Sequence, residues 1–289
     1  MPHLARWAVA ALVLGGGVVA LDRIALRFIK PPHKPPRRRA TDLPFSAEPV
    51  PLRSGDQDLS AWVLRPESDS GGPVLILVHG WGSNHGTMAR LAEPLLGRGF
   101  PVFLFDVRHH GESRGAGYVT ARHFRDDILA AVEEAGRHFP GRSRVLVGHS
   151  MGGATGILAV AGGAQVQGLV SIGAPGDLWE VWSYHLDRKG MPGRWIVRGL
   201  SPFWSYRAGE SWADLDPRLR APDVGVPFLI LHGEDDQSVP PDHAWVLAEA
   251  AGVEARVLPG LGHTDLLEDP ETHAPLVEFL LSLPGVPQR

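Results

Sequence analysis

The apolar residues of this chain fall into short continuous runs separated by longer amphipathic stretches. Five such runs lie at Pro73–Val78, Pro101–Asp106, Val145–Gly148, Val166–Ile172 and Pro227–Leu231. Runs of this kind are typical of strands buried on both faces of a parallel sheet. Ala121–His138 instead carries apolar residues three or four positions apart, which predicts a helix. The alternation predicts an α/β fold with a mainly parallel sheet and helices on both faces.

The ends of the predicted sheet follow from weaker patterns. Pro49–Arg53 and Leu59–Arg65 flank a Ser-Gly-Asp turn, which predicts an antiparallel pair. Glu254–Leu258 predicts the last strand, and Leu276–Leu281 lies in a closing helix. Ligands of such sheets bind at the carboxyl ends of the strands, so we expect the functional residues there.

Regular spacing fails between about residues 176 and 222, which predicts an insertion of short helices over the sheet. Five of the nine tryptophans of the chain lie in this interval, at Trp179, Trp182, Trp195, Trp204 and Trp212. They predict either an apolar roof suited to acyl chains or a small lid that packs onto the body.

The first 30 residues predict an N-terminal membrane anchor. Trp7–Leu21 carries no charged side chain, and a span needs about 20 residues, so flanking residues would have to contribute. The seven Lys/Arg between Arg23 and Arg39 favour an uncleaved anchor with the remainder in the cytoplasm. The alternative is a signal peptide cleaved after Val18-Val19-Ala20, which would make the protein secreted or periplasmic.

These patterns divide the chain into an anchor or signal segment (1–30), a Pro/Arg-rich linker (31–41) and one main domain (42–289). The prolines of the linker predict a stiff, extended spacer, and its arginines could attract anionic lipids. Residues 1–40 hold eight Lys/Arg and one Asp, whereas residues 41–289 hold 20 basic and 31 acidic side chains. The acidic main domain argues against nucleic-acid binding.

The absence of cysteine excludes disulfides, zinc–thiolate sites and a cysteine nucleophile. Neither a metal-ligand spacing nor a phosphate-binding glycine loop occurs, so we expect no metal site and no cofactor. The sequence does not indicate an oligomeric state.

A nucleophile motif stands at the centre of the chain. An apolar run leads into Gly148-His149-Ser150-Met151-Gly152, and an Ala/Leu/Val-rich stretch follows. A serine raised above a parallel sheet needs a strained strand-to-helix turn, and small residues on either side let strand and helix pack closely. The start of the helix also directs free N–H groups towards a developing oxyanion. Ser150 is therefore the candidate nucleophile.

A serine hydroxyl needs a base, and the base needs a carboxylate to orient it. His263 follows the last predicted strand between Gly262 and Thr264, and Asp235 and Asp236 follow the strand before it. The order serine, acid, histidine is the one found in a single known fold.

The chain resembles the α/β-hydrolases, in particular their monoglyceride-lipase and serine-aminopeptidase-like branch. The motifs that carry the resemblance are His79-Gly80-Trp81-Gly82, Asp106-Val107-Arg108-His109-His110-Gly111-Glu112-Ser113, Gly148–Gly153, His232–Pro240 and Gly262-His263. The resemblance implies an α/β-hydrolase fold with a small helical lid, and a triad of Ser150, Asp236 and His263. It also implies an oxyanion hole from the backbone N–H groups of Trp81 and Met151. His109 departs from the family pattern, which usually has glycine there.

The candidate substrate pocket comprises His79, His149, Trp179 and Trp182. The expected activity is that of a serine hydrolase that cleaves carboxylic esters of a small acyl substrate, in the manner of an esterase or lipase, through an acyl-serine intermediate. An aminopeptidase is the alternative, and it would need a lid carboxylate to bind a substrate ammonium group. The candidates for that role are Asp177, Glu180, Asp187 and Glu210. A membrane-tethered binding protein without catalytic activity is the third possibility.

Overall fold

A computed structural model describes residues 2–113, 115 and 117–286, with side chains described from residue 15 onward. Within these residues, one sheet of eight strands forms the centre of the molecule. The strands are β1 (Ser46–Ser54), β2 (Gln57–Arg65), β3 (Val74–Val78), β4 (Val102–Phe105), β5 (Arg144–His149), β6 (Gly168–Ile172), β7 (Phe228–Gly233) and β8 (Ala255–Leu258). Their order is β1-β2-β4-β3-β5-β6-β7-β8.

Strand β2 pairs antiparallel with both of its neighbours, and the strands from β4 to β8 are parallel. The mainly parallel sheet predicted from the sequence is therefore confirmed. Every residue of β3 and β6 is buried, as their continuous apolar runs require. At the sheet edge, Val50 and Leu52 of β1 are buried between exposed neighbours, because only one face of this strand packs on the core.

The described helices are α1 (Pro2–Phe28), α2 (His85–Gly97), α3 (Ala121–His138), α4 (Met151–Ala161), α5 (Leu178–Asp187), α6 (Gly193–Ala208), α7 (Pro217–Arg220), α8 (Asp242–Ala251) and α9 (Pro270–Ser282). Helices α3, α4 and α8 cover one face of the sheet, where Phe124, Ile157 and Leu247 are buried. Helices α2 and α9 cover the other face through residues such as Leu91 and Leu276. Helices on both faces confirm the second part of the predicted fold class.

Helices α5, α6 and α7 occupy the tryptophan-rich interval between β6 and β7. The side chain of Asp177 accepts hydrogen bonds from the backbone N–H groups of Trp179 and Glu180 and so caps α5. Trp204 of α6 is buried in a separate apolar cluster that also contains Leu186 of α5. The described lid thus has its own small core.

The end of α1 contacts this lid. The indole N–H of Trp204 donates to the carbonyl oxygen of Ala25 at 2.9 Å, and Arg207 pairs with Asp22 at 2.7 Å. The ring of Phe28 lies 5.8 Å from that of Trp182. These contacts connect the N-terminal helix to α5 and α6.

Residues 29–38 contain no helix or strand and lie along the main domain. The backbone N–H of Val119 donates to the carbonyl oxygen of Ile29 at 2.8 Å. The side-chain amide of Asn84 donates to the carbonyl oxygen of Lys34 at 3.0 Å. The predicted linker therefore has a defined path over the surface, although the division into segments 1–30, 31–41 and 42–289 stays a prediction.

No helix among the described residues combines the length and the apolar character needed to cross a membrane. Much of the run predicted as an anchor, from Trp7 to residue 14, lies outside the residues with described side chains.

Candidate active site

Ser150 lies between the last residue of β5 and the first residue of α4. Its backbone angles are φ 55° and ψ −124°, a region that residues other than glycine rarely adopt. Gly148 and Gly152 pack against each other's backbones, and a Cβ atom on Gly152 would lie 2.5 Å from the carbonyl oxygen of Val78. The close approach of strand and helix explains why glycine flanks the serine on both sides.

Asp236 follows β7, His263 follows β8, and the two side chains form a hydrogen bond. Nδ1 of His263 donates to Oδ2 of Asp236 at 2.6 Å. Oδ1 of Asp236 accepts from the backbone N–H groups of Ser238 and Val239 at 2.8 and 2.9 Å. Asp235 is exposed, so the structure distinguishes the two adjacent carboxylates.

The environment keeps Asp236 ionised. Burial by itself would raise the pKa of its carboxyl group, but hydrogen bonds from His232 and His263 outweigh burial and hold the pKa well below its usual range. An ionised acceptor at Nδ1 fixes the tautomer of His263 in which Nδ1 carries the proton. Nε2 is then the free acceptor, as a general base for a serine requires.

His149 contacts His263 through a hydrogen bond and through its ring. Its Nε2–H donates to the carbonyl oxygen of His263 at 2.9 Å, and the two imidazole rings lie 4.6 Å apart. Burial, and then the neighbouring His263, lower the pKa of His149 to about 3. A neutral His149 adds no positive charge beside the ring of His263.

His79 supports the loop that leads to the expected oxyanion hole. Its Nδ1–H donates to the carbonyl oxygen of Gly80 at 2.8 Å, and its Nε2 accepts from the backbone N–H of Val107 at 3.0 Å. The ring is fully buried, and burial lowers its pKa. Both ring nitrogens are engaged by the backbone, so His79 positions this loop and does not face a pocket.

Two cavities meet at Ser150 and His263. One, which we name the apolar arm, has a volume of about 530 Å³. Its walls include Trp81, Val119, Leu178, Val181, Trp182, Trp204, Trp212 and Leu215. The other, the polar arm, has a volume of about 630 Å³. Its walls include Lys34, Arg37, Arg38, Ser83, Asn84, Thr87, Arg90 and His149.

The four residues predicted for the substrate pocket divide between these cavities and their surroundings. Trp182 lines the apolar arm and His149 lines the polar arm. Trp179 lines neither arm, because its ring packs against Trp212 at 5.1 Å. His79 lines neither arm for the reason given above. Trp81 and Met151, whose N–H groups are the expected oxyanion donors, both border the apolar arm beside Ser150.

The carboxylates considered for ammonium binding lie elsewhere. Asp177 caps α5, Asp187 accepts from the backbone N–H of Gly193, and Glu210 pairs with Arg125. Glu180 is exposed. Neither arm has an aspartate or glutamate among its described lining residues.

The contribution of residues 29–38 to the site was missed by the sequence analysis. Ile29 and Pro32 line the apolar arm, Lys34 lines both arms, and Arg37 lines the polar arm. No local pattern indicates such contacts, because they join positions about 50 residues apart.

His109, the departure from the family pattern, has φ 62° and lines neither arm. A left-handed backbone explains why relatives have glycine there. Among the described residues, no group of three or more His, Asp or Glu could hold a metal ion.

Comparison with known proteins agrees with this architecture. Residues 73–195 match the family model described as alpha/beta hydrolase fold. Human monoglyceride lipase is 33% identical over 135 residues, which cover 45% of this chain and 44% of that enzyme. The match thus spans less than half the length of the human protein. A non-heme haloperoxidase from Rhodococcus erythropolis is 30% identical over 264 residues, 74% of this chain and 93% of that protein.

Solved structures show the same fold. An esterase from Pyrococcus furiosus superposes with a TM-score of 0.71 at 22% identity, over 88% of this chain and all of that chain. The sheet order, the strained turn at Ser150 and these matches agree with one another. The chain therefore belongs to the α/β-hydrolase family, in which it is similar to the monoglyceride lipases.

Proposed function

We propose that this α/β-hydrolase is a serine hydrolase that cleaves carboxylic esters through an acyl-Ser150 intermediate. The proposal rests on the place where the two cavities meet. Ser150 on its strained turn and His263, hydrogen bonded to Asp236, open into the same two cavities. One cavity has the apolar walls that an acyl chain requires.

The reaction follows from these positions. Oγ of Ser150 attacks the ester carbonyl carbon while its proton passes to Nε2 of His263, and Asp236 stabilises the resulting imidazolium. The N–H groups of Trp81 and Met151 donate hydrogen bonds to the oxyanion, and each such donor typically lowers the barrier by about 3–4 kcal/mol. The C–O bond to the alcohol then breaks, and the alcohol leaves with the proton from His263. Water then attacks the acyl carbon while its proton passes to Nε2 of His263. The bond from the acyl carbon to Oγ of Ser150 breaks, His263 returns the proton to Oγ, and the carboxylic acid leaves.

The lining of the two arms favours esters over amino-terminal peptides. An aminopeptidase must hold a substrate ammonium group near the scissile bond, and a carboxylate is the usual partner. Neither arm presents one among its described lining residues, whereas both contain cationic side chains. A substrate ammonium would therefore meet charge of its own sign.

The test compares wild type, Ser150→Ala and Ser171→Ala in the hydrolysis of p-nitrophenyl butyrate and in labelling by a fluorophosphonate probe. Ser171 is a matched control, because its hydroxyl is buried near Gly153 and lines neither arm. We expect Ser150→Ala to lose both activities and Ser171→Ala to keep them. Equal rates in wild type and Ser150→Ala would remove Ser150 from the mechanism.

Two further outcomes separate the alternatives. Faster release from amino-acyl p-nitroanilides than from esters would indicate an aminopeptidase. A folded wild-type protein that the probe does not label would indicate a binding protein without catalytic activity.

We also propose that the N-terminal segment holds the protein at a membrane, with the catalytic domain in the cytoplasm and the acyl substrate supplied from the lipid phase. The Lys/Arg residues that follow the uncharged run favour this orientation. The contacts of Ala25 and Asp22 with α6 place the end of α1 beside the lid, so a substrate that left the membrane there would be close to the apolar arm. The full chain should sediment with membranes after a carbonate wash, and a chain lacking residues 1–20 should not. Recovery of both in the soluble fraction would refute the anchor.

A further inference from the structure

The two arms differ in charge as well as in polarity. The apolar arm carries tryptophan, valine and leucine side chains around Ser150. The polar arm carries four cationic side chains, Lys34, Arg37, Arg38 and Arg90, and no carboxylate among its described lining residues. Three of the four cations, Lys34, Arg37 and Arg38, come from the basic first 40 residues, whereas Arg90 belongs to the acidic main domain.

Two of these cations are free to bind a ligand. Arg38 pairs with Glu93, and Arg90 pairs with Glu268, whose carboxylates lie outside the lining of the arm. Lys34 and Arg37 form no ion pair with any residue that the structure describes, and both are exposed. Lys34 lines both arms, as Ser150 and His263 do, so it lies where the two cavities meet.

The segment that supplies the cations is held in place over the expected oxyanion loop. Asn84 uses its side-chain oxygen to cap α2 and its amide N–H to bind the carbonyl oxygen of Lys34. A Cβ atom on Gly82 would lie 2.9 Å from the ring of Pro32, and one on Gly86 would collide with the carbonyl oxygen of Arg38. Glycine therefore stands at two positions, Gly82 in the loop and Gly86 at the start of α2, where residues 32–38 leave no room for a side chain.

We infer that the polar arm binds the alcohol part of the substrate and that this part carries an anionic phosphate group. The inference rests on the proposed ester hydrolysis. The acyl chain takes the arm with apolar walls, and the scissile carbonyl lies at Ser150, so the leaving alcohol projects into the other arm. A leaving group there enters the cavity that Lys34, Arg37, Arg38 and Arg90 line. Phosphate is the anion whose charge and oxygen geometry suit several arginine and lysine side chains at once.

The experiment uses two water-soluble esters with the same acyl group, 1-butyrylglycerol and 1-butyrylglycerol 3-phosphate. The measured quantity is the ratio of kcat/KM for the phosphate ester to kcat/KM for the neutral ester. This ratio is independent of the amount of active enzyme. We expect a ratio of about 10 or more in wild type at low salt, which should shrink in roughly 0.5 M NaCl because salt screens exposed charges.

The double variant Lys34→Gln/Arg37→Gln should lower this ratio about 3-fold to 10-fold, since each exposed charge contributes a small factor. Lys189→Gln is the matched control, because Lys189 is a cation that lines the apolar arm only. Its ratio should stay within about twofold of wild type on the same reasoning. A wild-type ratio of one, or a ratio that the double variant leaves unchanged, would overturn the inference while the ester hydrolase stands.

Anionic lipid headgroups in a membrane offer the same chemistry as a phosphate on the substrate. If the soluble esters are cleaved equally and the double variant loses activity only on monoacylglycerol in phosphatidylglycerol vesicles, the cations serve the membrane surface and the inference is wrong. If neither ester is cleaved, the proposed function fails. Calorimetric titration of glycerol 3-phosphate into Ser150→Ala then tests whether the polar arm binds a phosphate. Binding that weakens on adding Lys34→Gln/Arg37→Gln supports the arm, and no binding refutes it.

Discussion

Replacing Gly152 by alanine should damage both the stability and the activity of this protein, whereas the same change one helical turn later should not. A Cβ atom on Gly152 would lie 2.5 Å from the carbonyl oxygen of Val78 and 2.6 Å from that of His79. A Cβ atom on Gly156 would meet only side chains, at 3.3 Å from Leu146 and 3.5 Å from Leu169. Both glycines are buried in α4, so burial and the chemistry of the change are matched.

The magnitudes follow from what has to move. Carbon–oxygen contacts in proteins are normally about 3.3 Å or longer, so α4 and the end of β3 would have to separate by roughly 0.8 Å. Overpacking costs about 1–3 kcal/mol, and we expect about 3 kcal/mol here because the colliding atoms belong to the backbone of a central strand. The loop to Trp81 begins at the same place. A displacement of this size should lower kcat/KM about 100-fold.

Gly156→Ala has two small effects of opposite sign. Alanine in the interior of a helix is favoured over glycine by up to about 1 kcal/mol. The shift of Leu146 offsets part of this gain, so we expect the free energy of unfolding to stay within about 1 kcal/mol of wild type. Esterase activity should be retained, because no backbone atom near Ser150 has to move.

Urea unfolding followed by tryptophan fluorescence measures the stability of both variants, and ester hydrolysis with fluorophosphonate labelling measures the site. If Gly152→Ala were as stable and as active as wild type, the close packing of strand and helix around the serine would be refuted. If Gly156→Ala were equally damaging, the effect would belong to α4 as a whole and not to the turn.

Two other predictions concern charge. Asp236→Asn should keep the fold but lower kcat by about 10⁴, because the amide cannot stabilise the imidazolium of His263. Circular dichroism checks the fold and steady-state kinetics measures kcat. A loss of kcat below tenfold would contradict the role assigned to Asp236. Burial lowers the pKa of His110 and His149 to about 3 and that of His243 to about 4. The unfolded chain binds these protons below about pH 6.5, so stability should be complete above that pH and fall on acidification, by more than 1 kcal/mol per histidine and roughly 4 kcal/mol in total at pH 5.5. Urea midpoints at pH 7.5 and 5.5 measure the change, and equal midpoints would show that the three rings are accessible to protons in the folded protein.

The elements of the sheet could be predicted because each is recorded in a local pattern. The apolar runs of β3 and β6 are continuous because both faces are covered, and β1 alternates because one face is exposed. The turn at Ser150 was predictable for a related reason. Its geometry demands glycine at fixed distances along the chain, and the structure accounts for Gly148 and Gly152 through backbone contacts alone.

The surroundings of the site were not predictable in the same way. His79 was a pocket candidate from its place in a motif, but only the positions of Gly80 and Val107 reveal that both ring nitrogens are engaged. Lys34 was assigned to a linker, because nothing near it in the sequence indicates that Asn84 binds its carbonyl oxygen. Such contacts depend on the packing of segments that are distant in the sequence, and neither segment has a periodic pattern that indicates them.

This difference bears on how the substrate can be identified. The family match ends at residue 195, so it contains Ser150 but neither Asp236 nor His263. The assignment of the acid and the base therefore depends on the 2.6 Å hydrogen bond between them and on the cavities that His263 shares with Ser150. The polar arm takes Lys34 from a segment that precedes the match as well. The candidate catalytic residues follow the ends of strands, whereas residues 29–38 and the lid helices supply part of the lining of the arms. The charge of the polar arm is for that reason a better guide to the leaving group than the substrates of relatives that share the turn.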